Sequence, residues 1–156
     1  ARGVVAFGPN TLFATGDLTQ ESDLPALGEA AAGMVTSFHY AVSHDSEINK
    51  RFVAAADKAI GAPDLLSFPA VGAYDGMFVI SKMIAATGGK QDAEKAVEAV
   101  KGLAWESPRG PVKIDPETRH ITQAIYLREV AKDAQGRWIN KEIASVPDQK
   151  DPGLAK

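Results

Sequence analysis

The sequence of 156 residues contains no cysteine, and this absence removes three kinds of chemistry at once. Disulfide bridges, thiolate nucleophiles and cysteine-ligated zinc all require that residue. The compartment stays open, because many exported bacterial proteins also lack cysteine.

Long apolar runs and an excess of basic charge are missing as well. No apolar stretch approaches the roughly 20 residues that a membrane-spanning helix needs. The formal net charge is -3 and the pI about 5.6, so no basic surface for nucleic acid is indicated. The balance of 45% hydrophobic and 24% charged residues is that of an ordinary folded domain.

Signatures of catalysis and of nucleotide binding are also absent. The chain has no G-x-S-x-G nucleophile turn, no G-x-G-x-x-G motif and no P-loop. His39, His44 and Asp45 lie close in sequence, but their spacing fits no helical i, i+4 pair, and no third ligand is nearby. His44 and Asp45 are better explained as a loop before a helix capped at Ser46. We therefore predict no catalytic residue, no metal site and no cofactor.

What remains is an order of short strands and helices. Strands are predicted at 4–7, 12–15, 34–40, 103–106 and 112–114, helices at 23–32, 46–60, 70–87 and 92–101, and a β-hairpin from 124–131 and 138–144. Asp23 is the expected N-cap of its helix. The helix at 70–87 is apolar almost all round, which predicts burial on most sides. The polar residues 147–156 predict a frayed tail.

Asp17 follows a short apolar run and Gly16, and this position admits two interpretations. Its carboxylate can bond backbone amides within the turn. Alternatively, it stands at the carboxyl end of a parallel strand, the edge at which α/β proteins bind their ligands. The residues alone leave both interpretations open.

Five motifs occur in one order and spacing, and as a set they are specific. They are Gly16-Asp17 after a strand followed by GEAAAGMVT at 28–36, NKRF at 49–52, AYDGM at 73–77, GPVKID at 110–115 and QAIYLREV at 123–130. The set resembles the type I periplasmic solute-binding proteins, the Leu/Ile/Val-binding family of ABC importers. The resemblance extends over about residues 10–145.

The resemblance implies an α/β fold that forms part of a two-lobed clamshell, with Rossmann-like lobes, parallel sheets and hinge strands. By this pattern residues 1–33 and 124–150 belong to lobe 2. Residues 41–119 belong to lobe 1, and residues 151–156 form a tail.

The same pattern makes residues 34–40 and 120–126 the hinge crossovers, which absorb the backbone change when two lobes close. We expect residues 34–40 and 123–130 to lie side by side as strands that link the two lobes. The resemblance further implies that the chain is the C-terminal portion of a longer protein. It would then begin in mid-fold and have the missing N-terminal part as a partner, and it would hold no closed ligand pocket of its own.

The implied function is capture of a small organic solute between the lobes and its delivery to the membrane permease of an ABC transporter. The solute would be a branched-chain or other amino acid, or an aromatic or other organic acid. The implied location is periplasmic, or extracellular with a lipid anchor.

In amino-acid binders of this family, an acidic residue at the position of Asp17 receives the ammonium group of the ligand. A cation desolvated in a closing cleft needs such a charged partner. Phe38 and Tyr40, at the level of the cleft, and Phe68, before the apolar helix, are the other candidate ligand contacts. For each of these three, packing in the core or the hinge is the alternative, while Tyr74 and Trp105 are expected in the core.

Two other classes of function stay open. The same clamshell serves as the ligand-sensing part of receptors and regulators, and a small α/β enzyme is a further alternative. The sequence shows no DNA-binding helix pair and no membrane segment, which favours the transport carrier over the regulator.

Overall fold

The structure, a computed structural model, describes residues 13–61 and 66–154. The strand predicted at 4–7 lies outside these ranges. Within them no helix is both long enough and apolar enough to cross a membrane.

Six strands among the described residues form one sheet. They are β1 (Phe13–Thr15), β2 (Val35–Phe38), β3 (Ala104–Ser107), β4 (Gly110–Ile114), β5 (Ile121–Lys132) and β6 (Trp138–Gln149). The order is β1-β2-β5-β4-β3, and β6 pairs with the other edge of β5. The strands predicted in the second half of the chain, including the final hairpin, are therefore confirmed.

Strand β5 connects the two parts of this sheet. Residues Tyr126–Glu129 pair antiparallel with β2, and residues 121–123 pair with β4 along the same edge. Ser37 lies opposite Leu127, so the prediction that residues 34–40 and 123–130 lie side by side as strands is confirmed, while their role as hinge crossovers stays a prediction.

Parallel pairing joins only β1 and β2 among the described strands. Every other described pair is antiparallel. The expectation of parallel sheets therefore holds only at this end of the sheet. The physical reason is that β3–β4 and β5–β6 are joined by tight turns, which can connect only antiparallel neighbours.

The described ranges contain four α-helices beside the sheet: α1 (Leu24–Leu27), α2 (Glu47–Ile60), α3 (Phe68–Thr87) and α4 (Ala93–Glu98). The start of α2 is as predicted, because the Ser46 hydroxyl accepts a hydrogen bond of 3.2 Å from the backbone N–H of Asn49. The helix ends at Gly61, whose φ of 63° is left-handed.

The helix predicted at 23–32 is shorter than expected. It consists of α1 and a 3-10 turn at Gly28–Ala31, separated where Gly28 takes a φ of 52°. Asp23 occupies the N-cap position as predicted, but its side chain does not cap the helix. The backbone of Asp23 is already helical, so its carboxylate makes no capping hydrogen bond.

The burial predicted for the helix at 70–87 is wrong in the described structure. Only Val71 and Asp75 of α3 are buried, whereas Met77 is 64% and Ile84 56% exposed. The described residues cover α3 on one side only, so none of them packs against much of its apolar surface. Tyr74, expected in the core, is likewise exposed and touches Phe52 at a ring-centroid distance of 5.3 Å.

The predicted frayed tail is also wrong in part, because β6 extends to Gln149 and a 3-10 turn follows at Pro152–Leu154. One ion pair and one histidine–carboxylate contact hold this segment to the turn before β5. Lys150 Nζ lies 2.8 Å from Asp115 Oδ2, and Asp151 Oδ2 lies 2.9 Å from His120 Nδ1.

Candidate functional site

The candidate site lies where β1 and β2 end side by side. A 3-10 turn at Gly16–Thr19 follows β1. Strand β2 ends at Phe38 and is followed by His39 and Tyr40. Because parallel strands present their carboxyl ends at one edge of a sheet, the turn with Asp17 and the end of β2 lie at the same edge.

Three aromatic side chains meet at this edge, and we call Phe38, His39 and Phe68 the aromatic cluster. The ring centroids of Phe38 and His39 are 4.5 Å apart. The Phe68 ring, at the start of α3, stands edge-on to Phe38 at 5.2 Å and to His39 at 5.9 Å. All three side chains are half-buried, so the rings are fixed in place and remain partly accessible.

A buried arginine lies against this cluster. Arg128 of β5 is 1% exposed, and its Cζ is 5.1 Å from the centroid of the Phe38 ring. Its Nη1 donates to the Tyr40 carbonyl at 2.5 Å, and its Nη2 donates to Thr36 Oγ1 at 3.2 Å and to the Gly16 carbonyl at 3.4 Å. None of these acceptors is a carboxylate, and its Nε has no partner in the described ranges. The guanidinium thus joins two backbone carbonyls to the Thr36 hydroxyl and makes no ion pair among the described residues.

The close packing at Gly16 leaves no room for a side chain. A Cβ atom there would lie 2.5 Å from Phe38 Cβ and 2.6 Å from Arg128 Nη2. The glycine is therefore required by space, because Phe38 and Arg128 occupy the volume that any larger residue would need.

A second buried arginine belongs to a network centred on Asp75 of α3. The Asp75 carboxylate accepts hydrogen bonds from Trp105 Nε1 at 2.9 Å, Ser107 Oγ at 3.0 Å and Arg109 Nε at 2.9 Å. Arg109 also donates to the side-chain oxygen of Gln123. We call these residues the Asp75 network. Trp105, expected in the core, is half-buried and anchored by this bond.

His39 is held in its neutral form by these surroundings. Burial lowers its pKa first, and the positive charges of Arg109 and Arg128 lower it further, to about 4, against the opposing effect of Asp17 and Asp75. No hydrogen bond reaches either ring nitrogen from the described residues. A neutral imidazole therefore sits among aromatic rings and cations with its donor and acceptor both available.

The lowered pKa of His39 predicts a pH-dependent stability. Between about pH 6.5 and 4 the unfolded chain carries a proton on this residue that the folded chain does not, so the free energy of unfolding falls as the pH falls through this window. We expect His39→Gln to reduce the loss of stability between pH 7 and pH 5, measured by urea unfolding at both values. An equal loss in the wild type and the variant would contradict the assignment.

The sequence-predicted residues occupy different positions at this site. Asp17 is exposed, and no backbone amide in the described ranges bonds its carboxylate, so the turn-cap alternative gains no support; a ligand contact stays a prediction. Phe38 and Phe68 are brought together. Tyr40 is 1% exposed, and its hydroxyl donates to Asn49 Oδ1 at 3.0 Å, so its side chain lies in the interior.

The sequence interpretation missed His39, Arg109, Arg128 and Asp75 as members of one site. Two of them carry a signal in the sequence. Arg128 occupies the inward position of an alternating strand, with Tyr126 and Val130 on the same face, and Asp75 interrupts a strongly apolar helix. A charge at an inward position normally needs a specific partner. Arg109 lies in a turn, where sequence alone gives no direction to its side chain.

The other histidines lie elsewhere. His44 Nδ1 is 3.0 Å from both carboxylate oxygens of Glu142, which accounts for this residue without a metal. A hollow of about 610 Å³ is lined by residues that include His120 and Lys150, but both are paired with acidic neighbours. In the described ranges, no three acidic or histidine side chains are arranged to hold a metal ion.

A mixed sheet whose parallel strands end at a partly accessible aromatic and cationic cluster has the arrangement in which α/β proteins bind ligands. The chain belongs to the Periplasmic binding protein family, whose pattern it matches over residues 3–135.

Known proteins show the same relationship in sequence and in structure. The chain is 72% identical over 143 residues to Leu/Ile/Val-binding protein homolog 6 of Brucella abortus, covering 92% of this chain and 37% of that protein. It superposes with a TM-score of 0.94 and 51% identity on an ABC transporter solute-binding protein from Rhodopseudomonas palustris HaA2 in complex with p-hydroxybenzoic acid, covering 99% of this chain and 42% of the other.

A further Rhodopseudomonas palustris solute-binding protein, solved in complex with 4-hydroxybenzoate, gives a TM-score of 0.92 at 53% identity over 98% of this chain and 41% of its own. The fold and the family expected from the motifs are thus confirmed. The chain spans well under half the length of these relatives.

Proposed function

We propose that this chain forms part of the solute-binding component of an ABC importer and that its solute is a small aromatic carboxylic acid. The observation that carries the proposal is the aromatic cluster placed against a buried, unpaired guanidinium at the strand ends. Aromatic side chains favour a planar ring, and a guanidinium in a poorly hydrated site attracts a carboxylate.

The charge balance at the site favours an anionic ligand. The carboxylate of Asp75 is neutralised by its ion pair of 2.9 Å with Arg109. Arg128 has no such partner in the described ranges, since its hydrogen bonds go to neutral oxygens. An incoming carboxylate would supply the missing negative charge, whereas an incoming ammonium would add a further positive one.

The relatives give the proposal independent support. Two solute-binding proteins that share more than half of their aligned residues with this chain are described in complex with hydroxybenzoic acid. The Brucella relative is instead named for Leu, Ile and Val, and the available carboxylate of Asp17 would suit the ammonium group of such a ligand. An amino acid is therefore the second candidate.

Individual roles follow from exposure. We propose that Phe38 and Phe68 contact the ring of the ligand and that Asp17 faces it from the turn after β1. Tyr40 acts indirectly, because its carbonyl accepts the Nη1 hydrogen bond that positions Arg128. Residues 34–40 and 120–126 serve as the crossovers between two lobes formed by 1–33 with 124–150 and by 41–119. A periplasmic location and delivery to a membrane permease complete the proposal.

The proposal predicts the ligand preference of the full-length protein. We expect 4-hydroxybenzoate and benzoate to raise the melting temperature, and leucine and isoleucine at equal concentration to leave it unchanged. A ligand at 100 times its Kd stabilises the folded state by about 2.7 kcal/mol, which is readily measured. The test is a thermal-shift series followed by isothermal titration calorimetry. Stabilisation by leucine and not by the aromatic acids would reject the aromatic ligand in favour of the amino acid.

A further inference from the structure

The polar groups at the site are nearly all engaged with one another. Arg128 donates to three oxygens, and the Asp75 carboxylate accepts three hydrogen bonds. Arg109 donates to Asp75 and Gln123. His39 differs, because neither of its ring nitrogens is bonded by a described residue. A half-buried polar group in this state loses free energy unless water or a ligand completes it.

The orientation of the His39 ring is fixed before any ligand arrives. Phe38 covers it at a centroid distance of 4.5 Å, and Phe68 meets it at 5.9 Å with an interplanar angle of 79°. Two aromatic neighbours restrict rotation of the imidazole, so a hydrogen bond to it costs little further ordering. This is the pre-organisation that makes a polar contact selective.

The protonation state of His39 determines which partner it can take. Near pH 7 the imidazole is neutral, because burial and two guanidinium groups keep its pKa at about 4. It therefore carries one N–H donor and one nitrogen acceptor. A carboxylate has no proton to donate to that acceptor. An ammonium group has protons, but the two nearby guanidinium groups repel it. A neutral hydroxyl has a proton to donate and carries no charge that the guanidinium groups would repel.

We propose that His39 selects the ring substituent of the ligand, by accepting a hydrogen bond at its unprotonated nitrogen from a hydroxyl group on the aromatic ring. The site then prefers hydroxylated aromatic acids to unsubstituted ones. This inference rests on the proposed function, because it assumes an aromatic acid in the site, and it adds the residue and the atom that discriminate among such acids.

The test compares four ligands by calorimetry on the full-length protein: 3-hydroxybenzoate, 4-hydroxybenzoate, 4-methoxybenzoate and benzoate. The methoxy group has an oxygen but no proton to donate, so it separates donation from size. We expect the wild type to bind the better hydroxybenzoate at least about tenfold more tightly than benzoate or 4-methoxybenzoate, a difference of 1.4 kcal/mol.

The variant His39→Phe keeps an aromatic ring and removes the acceptor. We expect it to bring the affinities for hydroxybenzoate and benzoate to within about threefold of each other, or about 0.7 kcal/mol. His39→Gln keeps a hydrogen-bond acceptor and should retain part of the preference. His120→Phe is the matched control, since His120 lies on the turn before β5 and pairs with Asp151, and it should leave the preference unchanged.

A measurement without substitution keeps the inference testable if His39→Phe does not fold. The imidazole ¹⁵N chemical shifts of His39 in the wild type should change more on binding hydroxybenzoate than on binding benzoate. Equal shifts, an unchanged preference in His39→Phe, or a wild type that does not distinguish the two acids would each overturn the role of His39 and leave the proposed function standing. A wild type that binds none of the four acids would overturn both.

Discussion

Asp75→Ala is expected to lower the free energy of unfolding by about 3–5 kcal/mol, because it leaves the guanidinium of Arg109 buried without its counter-charge. Asp75 is 4% and Arg109 9% exposed, so water cannot readily replace the lost carboxylate. The Trp105 indole N–H and the Ser107 hydroxyl lose their acceptor in the same step. Urea unfolding followed by far-UV circular dichroism measures the change, since fluorescence would also report the altered Trp105.

Two further variants isolate the cause. Asp57→Ala removes an exposed carboxylate from α2 and should change the free energy of unfolding by less than about 0.5 kcal/mol. The double variant Asp75→Leu/Arg109→Leu removes both charges and should recover much of the loss, because burying neither charge avoids the desolvation penalty. A loss below about 1 kcal/mol for Asp75→Ala would show that the ion pair is hydrated and not buried.

Gly16→Ala is expected to disrupt both stability and ligand binding. The new methyl group would overlap the positions of Phe38 and Arg128, and strained packing of this kind costs about 1–3 kcal/mol. Relief requires Phe38 to move, and that movement shifts the ring against which a ligand would bind. We expect a lower melting temperature together with a loss of affinity for the aromatic acid of at least about tenfold, or 1.4 kcal/mol.

Gly72→Ala is the matched control for this substitution. Gly72 lies in α3, and a Cβ atom there would meet nothing within 4 Å. Alanine is also the better helix former by about 1 kcal/mol, so this variant should be as stable as the wild type or more stable. If Gly16→Ala is as stable as Gly72→Ala and binds the aromatic acid as tightly, Phe38 and Arg128 do not pack closely against Gly16.

The elements that the sequence predicted well are those that local physics determines. Ser46 followed by a periodic apolar face specifies where α2 begins, and Gly61 specifies where it ends. The hairpin of β5 and β6 is determined by alternation around the turn at 133–136. In these segments the information lies within a few residues, so no knowledge of the tertiary fold is needed.

Burial of α3 shows where local information ends. Its apolar composition predicts that something covers it, yet composition does not say which residues do so or whether they belong to this part of the chain. The exposure of Met77 and Ile84 therefore depends on which segments pack against α3, and the sequence of the helix alone does not determine it.

Some residues of the candidate site could likewise be predicted from local sequence, and others could not. The strand ends placed Asp17 and Phe38 at one edge, because edge positions follow from strand order. Arg128 and Asp75 reach the site from β5 and α3, at separations of 112 residues from Gly16 and 34 from Arg109. Only the tertiary structure shows that Arg128 lies over the Phe38 ring and that Asp75 is close enough to affect the pKa of His39. The neutral state of His39 depends on those contacts and was inaccessible to sequence patterns.

The pairing of β5 also determines how this sheet can bend. On one edge, β4 ends its pairing at Gln123 and β2 begins at Tyr126, so Ala124 and Ile125 carry no ladder bonds on that side. On the opposite edge, the register with β6 slips between Gln123 and Ile125. If the two halves of the sheet twist relative to each other, we therefore expect the backbone dihedrals of these two residues to change, while the hydrogen-bonded pairs on either side stay intact. The stretch 124–125 is therefore the point at which both edges of β5 lose regular pairing, whereas the second register shift, between Leu127 and Arg128, affects only the edge that pairs with β6.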